Sequence, residues 1–200
     1  MIKAVIFDLG DTVFVPDWTA MNQAMLNETG VSIILSPDIK EIYSNEVIVG
    51  RRSMKDIFGK IIETTGKIID ANFVVQKYAQ NYNKYTKVND KMILLIKSLK
   101  NKYKLYGLSN TNEIHGEVNK KRKLFSYFDK VFLSYELGMR KPSEELYFYV
   151  LKDINFSPNE VLFIDDKQEN IDVAKKLGVN VIKYENYDKL ASALANLGLY

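Results

Sequence analysis

Apolar residues along this chain fall into two kinds of run. Five runs are short and dense in Val, Ile, Leu, Phe or Tyr: Lys3–Phe7, Lys104–Leu108, Lys130–Leu133, Val161–Ile164 and Asn180–Lys183. Each ends on polar or turn residues, the pattern of strands buried on both faces of a parallel sheet. Between the last four, apolar positions recur at helical spacing. Asn112–Phe125, Ser143–Asp153, Gln168–Leu177 and Tyr187–Leu197 read as helices, with Gly178 and Gly198 placed as C-terminal caps. Alternation of strand and helix predicts βαβ units, right-handed crossovers and a three-layer, Rossmann-like α/β fold on a parallel five-stranded sheet.

The first strand breaks this alternation. From about Pro16 to Asn89 the chain reads as helices only: Asp17–Glu28 before Gly30, Pro37–Val49 behind Ser36, Ser53–Thr65 before Gly66, and Asp70–Tyr85. Asn89–Lys100 then returns as a crossover helix with Met92, Ile93, Ile96 and Leu99 on one face. The expected organisation is an α/β core from residues 1–15 and 89–200, interrupted by a four-helix insert at 16–88.

Composition narrows the chemistry. In 200 residues, 46% hydrophobic and 26% charged, a packed core is expected. The absence of cysteine removes disulfides, thiolate catalysis and thiolate zinc sites. A single histidine, His115, speaks against a His-rich metal site or a His-based triad. Catalytic groups are then carboxylates, hydroxyls or amines. A net charge of +3 is too weak to argue for a nucleic-acid partner. The basic stretches Tyr82–Lys87 and Lys120–Lys123 read as a solvated helix end and an exposed helix face. No signal-peptide pattern opens the chain and no apolar run has bilayer-spanning length, so a cytoplasmic protein without a membrane partner is expected.

Open parallel sheets bind ligands at the carboxyl ends of their strands. Asp8-Leu9-Gly10-Asp11-Thr12 follows the first strand, Ser109-Asn110-Thr111 the second and, a few residues on, Arg140-Lys141-Pro142 the third. Asp165-Asp166 follows the fourth, with Asn170 beyond. Singly, each is an ordinary turn or cap. Together they converge polar groups from four strands onto one sheet edge.

In Val5–Thr12, Leu108-Ser109-Asn110, Gly138–Pro142 and Phe163–Asp166, with Asn170, Ala174 and Gly178, the chain resembles the haloacid dehalogenase superfamily of hydrolases. The resemblance covers essentially the whole chain. It implies that the helical insert is a cap over the active site and that strand one lies between strands two and four. It implies a small phosphorylated substrate, such as a sugar phosphate, attacked by Asp8 to give an aspartyl-phosphate. Mg²⁺ would be held by Asp8, the Gly10 carbonyl and Asp166, with Asp165 close by. Lys141 would neutralise charge, and the Ser109 hydroxyl would bind the phosphoryl oxygens with nearby N–H groups. Asn110 would orient substrate, Asn170 would hold the loop carrying Asp166, and Thr12 would steady the turn.

One position departs from the family pattern. Many of its phosphatases have a second aspartate, the acid for the leaving oxygen, where this chain has Gly10. Losing acid–base catalysis typically costs about 10²–10⁴-fold. The substrate then has a good leaving group, or Asp11 or a cap residue takes over, or the reaction is a 2-haloacid dehalogenation that needs no acid. A non-catalytic binding relative is the remaining alternative. Asp11 itself reads first as a turn residue. In the insert, Arg51 and Arg52 are candidates to bind an anion bidentately, or simply exposed arginines. Phe14 and Trp18 are expected to pack the hinge, and His115 is assigned no role.

Overall fold

The computed structural model describes residues 1–200. Its elements in chain order are β1 (Ala4–Phe7), β2 (Phe14–Pro16), α1 (Trp18–Thr29), α2 (Pro37–Ile42), α3 (Met54–Thr65), α4 (Ala71–Tyr85), β3 (Thr86–Val88) and α5 (Asp90–Leu99). There follow β4 (Lys104–Ser109), α6 (Glu113–Lys121), β5 (Lys130–Leu133), α7 (Ser134–Leu137), α8 (Glu144–Ile154), β6 (Val161–Asp165), α9 (Gln168–Lys176), β7 (Asn180–Lys183) and α10 (Tyr187–Asn196).

Five strands form a parallel sheet in the order β5-β4-β1-β6-β7, so β1 is central, paired with β4 and β6. Side chains alternate between its faces. Val5, Phe7, Leu105, Leu162 and Ile164 pack with residues of α5 and α10. Ala4, Ile6, Tyr106, Leu108 and Phe163 pack with residues of α8 and α9. Burial on both sides is why these strands are continuous apolar runs.

Between β2 and β3 the chain builds a third apolar cluster, drawn from residues 21–82 and including Met21, Met25, Phe58, Val74, Tyr78 and Tyr82. Its helices begin on local caps. Ser53 and Asp56 form a reciprocal capping box on α3, and Asp17 accepts from the Ala20 N–H at the start of α1. Gly30 ends α1 at φ 68°, a left-handed conformation that glycine adopts without Cβ strain.

Three features differ from the sequence expectation. Residues 16–88 are not helical throughout: β2 and β3 pair antiparallel, Phe14 opposite Val88, and tie the two ends of the insert together. Asp17 N–H donates to Tyr85 C=O and Asn89 N–H to Val13 C=O, extending this seam. The helix expected over Pro37–Val49 ends at Ile42 and continues as a π-helical turn, Tyr43–Val47. Tyr82–Lys87 is not merely a solvated end, because Tyr82 and Thr86 are buried while Lys84 and Lys87 are exposed. Tyr82 continues the apolar stripe of α4 and covers α6. Lys120, Lys121 and Lys123 are exposed, at the end of α6 and just beyond it. No helix is long and apolar enough to cross a membrane.

Candidate active site

The carboxyl edge of the sheet holds the polar residues. Asp8 is the first residue past β1, its N–H donating to Ile164 C=O at 2.8 Å. The chain then turns tightly. Thr12 Oγ1 donates to Asp8 C=O at 2.5 Å, and Asp11 adopts a left-handed φ of 56°. Ser109 and Asp165 are the last residues of β4 and β6. Lys141 arrives from the loop between α7 and α8. Both ends of the Asn110 amide grip its main chain. Nδ2 donates to Lys141 C=O and Oδ1 accepts from Lys141 N–H, each at 2.9 Å. Asn110 therefore fixes Lys141, and it also lines the cavity.

The Lys141 ammonium lies 2.5 Å from Asp8 Oδ1 and 2.7 Å from Asp165 Oδ2, and all three side chains are buried. Burial pushes Asp8 up to about 7; Lys141 opposes this, and repulsion from Asp165 and Asp166 adds to it. Burial disfavours the charge on Lys141, but the Asp8 and Asp165 carboxylates outweigh it and hold the ammonium above its ordinary value. Asp166, partly exposed, is raised by burial and by its neighbour Asp165.

A cavity of about 290 Å³ opens over this cluster, lined among others by Asp8, Gly10, Ser109, Asn110, Lys141 and Asp166. Two carboxylates, Asp8 and Asp165, hold the ammonium, and the repelling charge of Asp166 beside them adds an excess of negative charge that a dication would relieve. The donors at the cavity wall are oxygens, the chemistry Mg²⁺ prefers. No three acidic side chains form a chelating cage by themselves, so a cation here would draw on a main-chain carbonyl and water as well. Asn170, also on the wall, has a buried Oδ1 without a partner, an acceptor suited to such a water. The residues present fit a hydrated Mg²⁺.

The model of the haloacid dehalogenase-like hydrolase family matches residues 5–184. The chain belongs to this family. It is 29% identical over 195 residues to a D-ribitol-5-phosphate phosphatase of Bacteroides thetaiotaomicron, covering 93% of each chain. It is 27% identical over 198 residues to a drimenol cyclase of Aspergillus calidoustus, covering 98% of this chain but only 37% of that longer protein. A haloacid dehalogenase-family enzyme of B. thetaiotaomicron, crystallised with magnesium and inorganic phosphate, superposes with a TM-score of 0.77 at 27% identity, over 95% of this chain and 99% of that one. The protein is a hydrolase.

Other residues of this hydrolase lie differently from expectation. Asp165 does not line the cavity. Its oxygens accept from Lys141 Nζ, Lys167 N–H (2.8 Å) and Asn170 Nδ2 (2.9 Å), so it holds the lysine and leaves the cavity wall to Asp166. Asn170 accordingly grips Asp165. Arg51 and Arg52 are exposed and off the cavity wall, and Arg52 is paired with Glu46. They lie beyond the π-helical turn, where the chain has already passed the cavity. Phe14 is buried in the core and pairs with Val88 in the hinge as expected, and it lines the cavity together with Trp18 and His115. His115 lies one turn into the helix after β4, its N–H capped by Asn112 Oδ1 at 3.0 Å. Its place in the helix after Ser109 left solvent and cleft equally open in the sequence, and the structure puts it on the cavity side.

Proposed function

We propose that this hydrolase is a Mg²⁺-dependent phosphatase acting on a small phosphorylated metabolite, with residues 16–88 as a cap over the site. The observation that carries the reading is the buried Asp8–Lys141 contact at the floor of a cavity lined by oxygen donors. An Asp8 oxygen attacks phosphorus in line; the P–O bond to the substrate breaks, leaving an aspartyl-phosphate that water then hydrolyses to inorganic phosphate. Lys141 keeps positive charge beside the attacking carboxylate and the transferring phosphoryl group. Asp165 and Asn110 hold Lys141 in place. The Ser109 hydroxyl binds phosphoryl oxygen. Asp8, the Gly10 carbonyl and Asp166 would hold Mg²⁺, which would supply positive charge for the meeting of two anions. With glycine at position 10, the departing oxygen takes its proton from water. The similarity to a D-ribitol-5-phosphate phosphatase over nearly the whole length supports a sugar or polyol phosphate.

Assay of a phosphoester panel tests this, with wild type and Asp8→Asn compared in Mg²⁺ and in chelator. Turnover that needs both Mg²⁺ and Asp8 is expected, and turnover surviving Asp8→Asn rejects the reading. Gly10 also supports a second reading, 2-haloacid dehalogenation, because halide leaves without an acid. Activity on haloacids alone, in chelator, selects it.

A further inference from the structure

Two residues of α6 that line the cavity each carry a buried polar atom without a partner: His115 Nε2 and Asn119 Oδ1. The residues are four apart, so they share one face of the helix. Both are more than nine-tenths buried, at 6% and 5% exposure. Native structures leave few such atoms unpaired, since each costs about 1–3 kcal/mol. An occupant of the cavity that satisfies both accounts for them.

Their chemistry specifies that occupant. Asn119 Nδ2 donates to the Tyr82 hydroxyl at 3.1 Å, which turns Oδ1 away as a bare acceptor. For His115, Asn112 fixes the tautomer. Asn112 Oδ1 accepts from the His115 N–H, so it is Nδ2 that stands 3.4 Å from His115 Nδ1. Nδ1 must then accept, and the proton of the neutral ring sits on Nε2. Burial keeps the ring neutral by pushing its pKa down to about 3. Stacking on Tyr82, with ring centroids 3.7 Å apart and planes 13° apart, holds the imidazole in place. The wall therefore offers one neutral donor and one neutral acceptor. A hydroxyl satisfies both, accepting from Nε2–H and donating to Oδ1. A second anionic group would meet the bare Oδ1, and Arg122, the next residue on that face, does not line the cavity. Trp18, Tyr82, Phe14 and Phe125 give the surrounding wall aromatic faces for a carbon skeleton.

We infer that His115 and Asn119 form a subsite that reads a hydroxyl on the leaving group, selecting uncharged, hydroxylated phosphoesters over their deoxy counterparts. The inference rests on the phosphatase reading above.

The test compares ribitol 5-phosphate with pentyl phosphate, a chain of matched length without hydroxyls, for wild type, His115→Phe and Asn119→Leu. Wild type is expected to favour the pentitol ester in kcat/KM, and each variant to shrink that preference at least about tenfold. A preference that neither variant alters overturns the subsite and shows the two atoms to be serving a trapped water; phosphatase turnover would meanwhile stand. Calorimetric binding of both esters to the Asp8→Asn protein separates the two readings. If wild type turns over neither ester, a pentitol preference in binding that falls in Asp8→Asn/Asn119→Leu upholds the subsite while phosphatase action falls. Equal binding of the two esters overturns the subsite.

Discussion

Lys141 Nζ touches Asp8 Oδ1 at 2.5 Å from across the sheet edge, with the lysine side chain only 2% exposed. A buried ion pair of this kind is not in itself strong support for stability, since desolvation offsets most of the attraction. The lysine matters most, because removing it leaves two buried carboxylates without their cation, whereas removing Asp8 leaves Lys141 paired with Asp165.

Lys141→Met leaves Asp8 and Asp165 facing each other without a cation. Unpairing a buried charge costs about 3–5 kcal/mol, and removing a group that stabilises transition-state charge costs about 10²–10³ in kcat. We expect both losses together, read by urea denaturation without divalent cation and by steady-state kinetics. An unchanged denaturation midpoint contradicts the structural role, and an unchanged kcat the chemical one.

Gly10 is open to substitution. A Cβ built there meets no atom within 4 Å, and its φ is not in the left-handed range. Gly10→Asp is expected to supply the missing leaving-group acid. Turnover of alkyl phosphates should rise roughly 10- to 100-fold, within the range of general acid catalysis. Turnover of p-nitrophenyl phosphate, whose leaving group needs no proton, should change much less. Equal effects on both esters argue against acid catalysis from this position.

His115 makes stability depend on pH. Burial lowers its pKa from 6.5 to about 3, so as pH falls the unfolded chain takes up the proton first and folding weakens. The histidine contributes no pH dependence well above pH 6.5, and its penalty grows below that until the folded form also protonates near pH 3. The penalty reaches about 2–3 kcal/mol midway through this window. His115→Phe keeps an aromatic ring in the stack and removes the titration. Denaturation curves of the two proteins should therefore differ in pH slope by about 1.4 kcal/mol per unit in this window. Parallel curves would show that the imidazole is not held neutral.

The central fold was legible because β1, β4 and β6 are buried on both faces and read as continuous apolar runs. The runs Lys130–Leu133 and Asn180–Lys183 carry their own boundaries, and β1 is recognisable as the one strand followed by a long helical insert. The β2–β3 ribbon was not legible. Three residues are too few to show a period of two, and Phe14 pairs with Val88 only after the whole insert has folded between them. Asp8, Ser109 and Asp166 line one cavity because each sits at or just past a strand end on the same sheet edge, and the loop beyond α7 brings Lys141 to them. Asp165 and Asp166 are adjacent at a strand end, so one turns inward and the other outward. Composition cannot say which, and the structure turns Asp165 toward Lys141. His115 faces the cavity only because Tyr82, from the distant helix α4, lies over α6.

The proposed chemistry places a covalent bond between phosphorus and one carboxylate. Rapid acid quench of wild type turning over a ³²P-labelled phosphoester in Mg²⁺, followed by peptide mapping, looks for that bond directly. Acid-stable, hydroxylamine-sensitive label on the peptide carrying Asp8, absent from Asp8→Asn and from reactions in chelator, is the expected result. Steady phosphate release with no label on that peptide at any quench time contradicts Asp8 as the nucleophile.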